Sequence, residues 1–457
     1  MSIPNTPRKR TNSLRPHASA AFTLGCLLAA GSIQAAPANE QDLADRVQAL
    51  EEALKAVKAE AEALKESSKP GPHAVKIEER GGRMQLATED GNFTFRIGGR
   101  LLLDTAWYDA DESPMGSGTA FRDVRLEASG TMYRDWSYVF QYDFTGDGEG
   151  GVKDAIIGYR GFKPAGKELN LSLGNQFQPF GLEGQQSGKY KLFMELTPPT
   201  AMLGAGARRV GIREDLIGSN WRWSFAVAQD PLGSRATDDN MDDAVDIATQ
   251  FNINPIQEKG NVLSLGASLR HQSSNDSDAK RLRARPQTDI SSFRPIDTGG
   301  FISDGFTAVG VHGLYQNGPF ELWSEYLRQK HDSIKGGSAN GEEPVFTGGY
   351  VMAGYMLTGE ARAYDSKNNV FGATAPAKGL SQGGIGAWQL AAGYSTLDLS
   401  DGGIDGGEMD MLMLGINWYP EQRLRFSMEY GNVLKLDGGP YDGDKPSFVQ
   451  ARAQLEF

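Results

Sequence analysis

The chain has 457 residues, with 46 basic against 58 acidic side chains and a formal net charge of −12, a balance that argues against nucleic acid as a partner. Its 57 glycines, 21 phenylalanines and 15 tyrosines sit poorly with an all-helical protein. Beyond residue 36 no stretch holds 18 consecutive apolar residues, so no helix is expected to span a bilayer; strands escape that test, because only alternate residues need to face lipid.

Residues 1–36 read as an export signal. Arg8, Lys9, Arg10 and Arg15 form a basic head, Ala18 to Ala30 is a short apolar run, and small residues follow at Ala35-Ala36. The run is too short to cross a membrane as a helix. Loss of this leader removes four of the 46 basic residues and no acidic one, leaving 42 against 58 and a net charge of −16. Cys26, the only cysteine, lies inside it, so the exported chain would carry no disulfide, thiol nucleophile or cysteine metal site.

Residues 37–72 read as a periplasmic coiled-coil helix and linker. Leu43, Val47, Leu50, Leu54, Val57, Ala61 and Leu64 recur at spacings of four and three, a heptad seam. The pattern stops at Ser67-Ser68-Lys69-Pro70-Gly71-Pro72. A self-associating helix is the expectation here; an amphipathic helix lying on its own barrel is the alternative.

Residues 73–457 read as a β-barrel. From Asn92 the period changes to two: Phe93, Phe95, Ile97, Leu101, Leu103 and Trp107 share one face, Thr94, Arg96, Arg100 and Asp104 the other. Trp136, Tyr138, Phe140, Tyr142 and Phe144 alternate with Ser137, Gln141 and Asp143. Sixteen candidate strands follow this rule: 93–108, 121–133, 136–144, 152–163, 168–177, 207–217, 220–230, 243–253, 261–272, 304–316, 319–331, 346–358, 385–398, 408–419, 422–434 and 446–457. Faces of opposite polarity over about ten residues suit tilted strands crossing an outer membrane. Tight turns at Arg134-Asp135, Gly218-Ser219, Asn317-Gly318 and Pro420-Glu421 contrast with long connections at 273–303 and 359–384. This predicts short turns at one end of the barrel and long loops at the other. The last strand alternates Val449, Ala451, Ala453, Leu455 and Phe457 with Gln450, Arg452, Gln454 and Glu456, and ends on the aromatic residue common in outer-membrane proteins.

With these elements in order, the chain resembles the phosphate-selective porins O and P. The likeness runs through Phe95-Arg96-Ile97-Gly98-Gly99-Arg100-Leu101, Phe121-Arg122-Asp123-Val124-Arg125-Leu126-Glu127 and Tyr133-Arg134-Asp135-Trp136. It continues in Pro179-Phe180-Gly181-Leu182-Glu183, in Gly349 to Glu360, in Gly386-Ala387-Trp388-Gln389-Leu390 and in Gly415-Ile416-Asn417-Trp418-Tyr419. The resemblance implies a homotrimer of sixteen-stranded barrels surrounded by outer-membrane lipid, with no cofactor. A third long loop, here Gln178 to Gly206, would fold inward and narrow each pore, and small anions such as phosphate or polyphosphate would pass along arginines and lysines. Arginine suits this because its planar donors grip an oxyanion in pairs.

The candidate anion-attracting residues are, by strand parity or nearness to the inward loop, Arg96, Arg100, Arg125, Arg160, Lys189, Lys191, Arg208, Arg209 and Arg213, and, from the resemblance, Arg122, which matches the first of two adjacent arginines implied in the second strand. Parity alone puts Arg122 on the lipid side unless a bulge intervenes. Two readings of these cations stand: an anion-attracting funnel, or wall arginines paired with Asp104, Glu127, Asp143 and Asp154 to hold the lumen rigid. Three positions depart from the family pattern. Asp123 stands where a second arginine is expected, Ser137 where a lysine follows the tryptophan, and Gly184 where a lysine follows Gly-Leu-Glu. A carboxylate beside an anion path opposes phosphate, so weak phosphate preference is the expectation. A general porin without a phosphate site, and a structural barrel tethered by its coiled coil, are the alternatives.

No enzyme is expected. The five histidines stand apart in sequence, with no zinc-type spacing, no Ser-His-Asp grouping and no phosphate-cradling glycine loop. The acidic run at 238–243 lacks the spacing of a calcium loop and reads as solvated surface.

Overall fold

A computed structural model describes residues 40–67, 74–79, 83–146, 151–204, 208–229, 232, 245–273, 279–439 and 441–457. The expected export leader, residues 68–72 of the linker and the acidic run at 238–243 lie outside the described residues. The chain divides into two compact units, before and after Pro70. The first holds one helix, α1 (Glu40–Ser67). Along its heptad seam Val47, Leu50, Leu54 and Val57 are exposed.

The second unit is a closed barrel of sixteen antiparallel strands: β1 (Thr94–Asp109), β2 (Gly118–Met132), β3 (Trp136–Asp143), β4 (Val152–Tyr159), β5 (Glu168–Phe177), β6 (Arg208–Ile217), β7 (Trp221–Ala228) and β8 (Asp246–Glu258). The circuit continues with β9 (Asn261–Ser273), β10 (Gly305–Asn317), β11 (Phe320–His331), β12 (Val345–Met356), β13 (Ala387–Asp401), β14 (Ile404–Glu421), β15 (Leu424–Asp437) and β16 (Ser447–Glu456). Each strand pairs with its chain neighbours, and β16 closes the circle on β1 from Ser447↔Asp109 to Glu456↔Arg100. Closure leaves no strand edge unpaired in lipid, where an unsatisfied backbone group costs several kcal/mol. Just before β1, a short hairpin (75–79 and 84–88) adds to the wall through Leu86↔Phe95 and Ala87↔Thr94.

The period-two pattern places the side chains as expected. Ile97, Leu101, Leu103, Trp107, Phe140, Ile212, Val311, Tyr326 and Leu414 are exposed on the outer face, the surface that lipid would cover. The apolar core lies inside the barrel. Trp323, Phe346, Met352, Leu397, Met411, Met413 and Val433 of β11 to β15 pack against Phe180, Leu192, Phe193, Ile296 and Phe371, which come from connections folded into the lumen. Burying each such side chain contributes about 1.5–3 kcal/mol. One half of the lumen is therefore filled, and open space remains on the other.

One expectation needs correction. The long connection near 359–384 follows β12, so strand alternation puts it at the short-turn end, with the turns at 133–135, 218–220 and 318–319. Conversely, a two-residue turn at 402–403 closes the long-loop end between β13 and β14. Connection length misleads here because the 357–386 segment is a lumen filler. Its Phe371 is buried against Trp323, with ring centroids 5.3 Å apart, and its Arg362 is buried against Glu321 at 3.1 Å.

The closing seam is tight. Gly99 and Phe457 exchange backbone hydrogen bonds of 3.0 and 3.3 Å, and a Cβ on Gly99 would stand 2.3 Å from the Arg125 carbonyl and 2.6 Å from the Phe457 ring. Gly99→Leu is expected to destabilise the barrel by at least about 1–3 kcal/mol, because backbone cannot move aside cheaply. Heat-modifiable gel mobility measures this as loss of the compact, folded band.

Candidate functional site

A cavity of about 510 Å³ occupies the open half of the lumen. β1, β2, β3, β4, β5, β6 and β16 bound it, and residues 184–191 and 194–196 of the segment after β5 complete its lining. Of the ten cations expected on the anion path, six line it: Arg100, Arg122, Arg125, Lys189, Lys191 and Arg208.

Arg122 reaches the lumen through a bulge. Leu102 pairs with Asp123 and Leu103 with Phe121, which leaves Arg122 as the extra residue. The bulge turns both Arg122 and Asp123 inward. Arg122 Nε then donates to Glu195 at 2.9 Å and lies 3.2 Å from Asp289.

Around it the guanidiniums are tied to carboxylates. Asp123 is buried between Arg100, which it meets in a short ion pair, and Arg125 at 3.1 Å. Arg125 also holds Asp143 at 2.9 Å. Arg208 holds Asp154 at 2.7 Å, with its guanidinium 3.9 Å from the centre of the Phe177 ring. Such pairing is required inside a barrel, because a lone buried charge is far costlier than a bonded pair.

The two lysines differ. Lys189 lies 3.5 Å from Glu456, whereas Lys191 has no ion pair within 4 Å among the described residues. Burial pushes both ammoniums down to about 8, opposed at Lys189 by Glu456 and at Lys191 by Glu183 and Glu195. Burial also works against ionisation of Glu195, yet the Arg122 and Arg452 guanidiniums hold it down to about 2.

The other four candidate cations stand away from the cavity lining. Arg96 bonds Glu127 at 2.9 Å, Arg209 bonds Asp246 at 2.9 Å, and Arg213 lies 3.2 Å from Asp215. Arg160 sits just past the end of β4, exposed, and donates to the Arg134 carbonyl at 2.8 Å; the lumen placement expected from parity does not hold there. Of the three departures from the family pattern, Asp123 and Gly184 line the cavity. Ser137 does not: it shares a face of β3 with the lining residue Gln141, four residues further along.

Two lining cations escaped the sequence reading. Arg452 was on the inward face of the last strand, and parity alone would have found it; it holds Asp104 and Glu195 at 2.6 and 2.7 Å. Arg83 precedes the barrel, where no alternation points inward, and it reaches Glu456 at 2.8 Å. Counting both, the lining carries eight cations and four carboxylates: Asp123, Glu127, Asp154 and Glu195.

The sequence profile of the family described as "Phosphate-selective porin O and P" matches residues 95–457. The chain is 28% identical over 427 residues to Porin O of Pseudomonas aeruginosa, covering 84% of this chain and 92% of that one. It is also 28% identical over 386 residues to an uncharacterised protein of Caulobacter vibrioides, covering 80% and 75% of the two chains. Among solved structures, the barrel is similar to the loop L8 deletion mutant of OmpT, an outer membrane protein of Vibrio cholerae. That match has a TM-score of 0.51 at 11% identity and covers 80% of this chain and 100% of the other. An anion-selective porin from Comamonas acidovorans superposes with a TM-score of 0.50 at 13% identity, over 80% and 100% of the chains. At such identities the structural likeness concerns the fold.

Because both cavity lysines are held near 8, their positive charge is present below that pH and is lost above it. Any preference of the pore for anions is therefore expected to fall as pH rises from about 7 to about 9. Reversal potentials in a salt gradient at several pH values read this directly; Lys191→Gln should show the lower preference at pH 7 and a flatter pH profile.

Proposed function

The chain belongs to the phosphate-selective porin O and P family, and on that premise we propose that its barrel passes small anions through the cavity beside β1 to β6, with a weak preference for phosphate. As a family member it is an outer-membrane channel and not an enzyme. The observation that carries the anion reading is the lining itself, eight cations against four carboxylates, with Asp104, Asp143, Asp289 and Glu456 pairing some of those cations from outside the lining. An anion entering this net positive field exchanges part of its hydration for guanidinium and ammonium donors. Lys191, with no ion pair, is the donor most available to a moving solute. Within the segment Gln178 to Gly206, residues 184–191 and 194–196 line one side of the cavity and so narrow the path.

Weak phosphate preference follows from what the arginines already hold. Arg100, Arg122, Arg125, Arg208 and Arg452 each already hold a carboxylate at ion-pair distance, so a doubly charged phosphate would compete with fixed partners. Chloride-sized and singly charged anions need only the net field. Single-channel recording in a planar bilayer tests this. A potassium chloride gradient should give a reversal potential on the chloride side, and millimolar phosphate should produce little block. A cation-leaning reversal potential would sink the anion reading, and strong block at low phosphate would sink the weak preference.

Two substitutions refine the assignment. Asp123→Asn is expected to raise anion preference by removing a lining carboxylate, and to lower stability by about 3–5 kcal/mol because Arg100 and Arg125 lose a buried partner. Ser137→Lys, off the cavity, should leave the reversal potential unchanged; a large shift there would move the constriction to β3.

The exposed heptad stripe of α1 supports assembly into a trimer through the helices. A variant lacking residues 40–66 is expected to keep the single-barrel conductance while its oligomer dissociates more readily in detergent, measured by light scattering. Envelope defects with intact conductance in that variant would favour a tethering role for the helix.

A further inference from the structure

The stretch from Lys189 to Glu195 runs through the lumen as irregular chain, and its backbone is held by side chains of β14 to β16 and of two connections folded inward. Six of its seven carbonyls accept a hydrogen bond. Gln454 Nε2 donates to Lys189 at 3.1 Å, Arg362 to Tyr190, Arg452 to Met194 at 2.7 Å and Gln287 to Glu195 at 3.1 Å. In the middle, one side chain holds two carbonyls: Arg425 donates to Lys191 and to Leu192, each at 2.9 Å. Asn417 Nδ2 adds a bond to the Leu192 carbonyl at 3.1 Å.

Arg425 is unusual among the lumen arginines. It is 2% exposed, it does not line the cavity, and it makes no ion pair within 4 Å among the described residues. All three of its nitrogens are committed. Nε and one terminal nitrogen donate to Asn417 Oδ1 at 3.2 and 2.8 Å, and Ser427 Oγ donates to the same oxygen at 2.7 Å. Asn417 thus fixes the plane of the guanidinium, and the guanidinium fixes two successive peptides. Burying this charge without a carboxylate is costly, and charged donors on neutral carbonyls are what offset it.

We propose that Arg425, oriented by Asn417, is the positioning residue of the pore: its grip on the Lys191 and Leu192 carbonyls sets where the Lys191 ammonium stands in the cavity. The side chain touches no solute and acts through Lys191. Its planar fork matters more than its charge, since an ammonium cannot hold two carbonyls and the Asn417 oxygen in one plane. The inference rests on the reading of the cavity as the anion path.

The test compares Arg425→Gln and Arg425→Lys with the unaltered protein, in planar bilayers, by reversal potential and by open-channel current noise. Folded barrels are first verified by heat-modifiable mobility. Both variants are expected to lose about five-fold in chloride-over-potassium preference, the effect of about one buried hydrogen bond, and to show added noise as residues 189–195 lose their fixed position. Wild-type behaviour in both variants would overturn the proposal, as would full rescue by Arg425→Lys, which would mean that charge alone is at work. Should either variant fail to fold, Gln287→Leu removes the donor to Glu195 from a connecting loop and leaves the wall untouched. It should raise noise in the same direction, and silent behaviour would count against positioning. If the unaltered protein itself shows no anion preference, the anion reading fails instead; noise that still rises in the variants would then keep the positioning role.

Discussion

Everything in this molecule follows from the rule that no backbone polar group can be left unpaired in lipid. A sheet satisfies that rule only by closing on itself, and here β16 closes on β1 through ten residue pairs. Closure also imposes parity. Each residue faces either hydrocarbon or lumen, so polar side chains are collected inside and the lumen becomes crowded with charge. Pairing is the way such a space stays affordable, which is why Asp104, Asp123, Asp143 and Asp154 each hold an arginine.

That parity is why so much of the barrel was legible in the sequence. Sixteen strands could be placed from alternation alone, and no end differs from the structure by more than five residues. The pairing of lumen arginines with nearby acids could also be anticipated, because both fall on the same face at short range. Legibility stopped where parity stops. Arg122 needed a bulge that no alternation announces, and Arg83 lies ahead of the barrel. Arg160 sat one residue beyond a strand, where inward and outward no longer have meaning. The partner of Asp104 proved to be Arg452, 348 residues away in sequence and adjacent only through closure.

The 357–386 segment shows a second limit. Its length and glycines suggested a loop at the long-loop end, yet it enters the lumen from the opposite end and carries Phe371 against Trp323. The signal for this was weak because inward-facing apolar residues in β11 to β15 can be read equally as lipid-facing ones in another register. Only the count of strands before it decides which end it occupies. Once there, it meets the segment after β5: Gln186 exchanges two hydrogen bonds with the Phe371 backbone, both 2.9 Å long.

The filled half of the lumen and the charged half depend on one another. A sixteen-stranded barrel without fillers would hold a wide aqueous channel in which separate charges are screened. With the apolar connections packed on β11 to β15, the cavity lined by β1 to β6 and β16 measures about 510 Å³ and its charges act at close range. The arginines there are largely neutralised by the carboxylates that allow them to be buried. The positive excess consequently falls to the few cations whose place is set by backbone, Lys191 foremost. Its position is fixed from behind by groups that never face the cavity. On the proposed reading, selectivity in such a pore is a property of how the crossing chain is held, and the visible lining is only the surface of that arrangement.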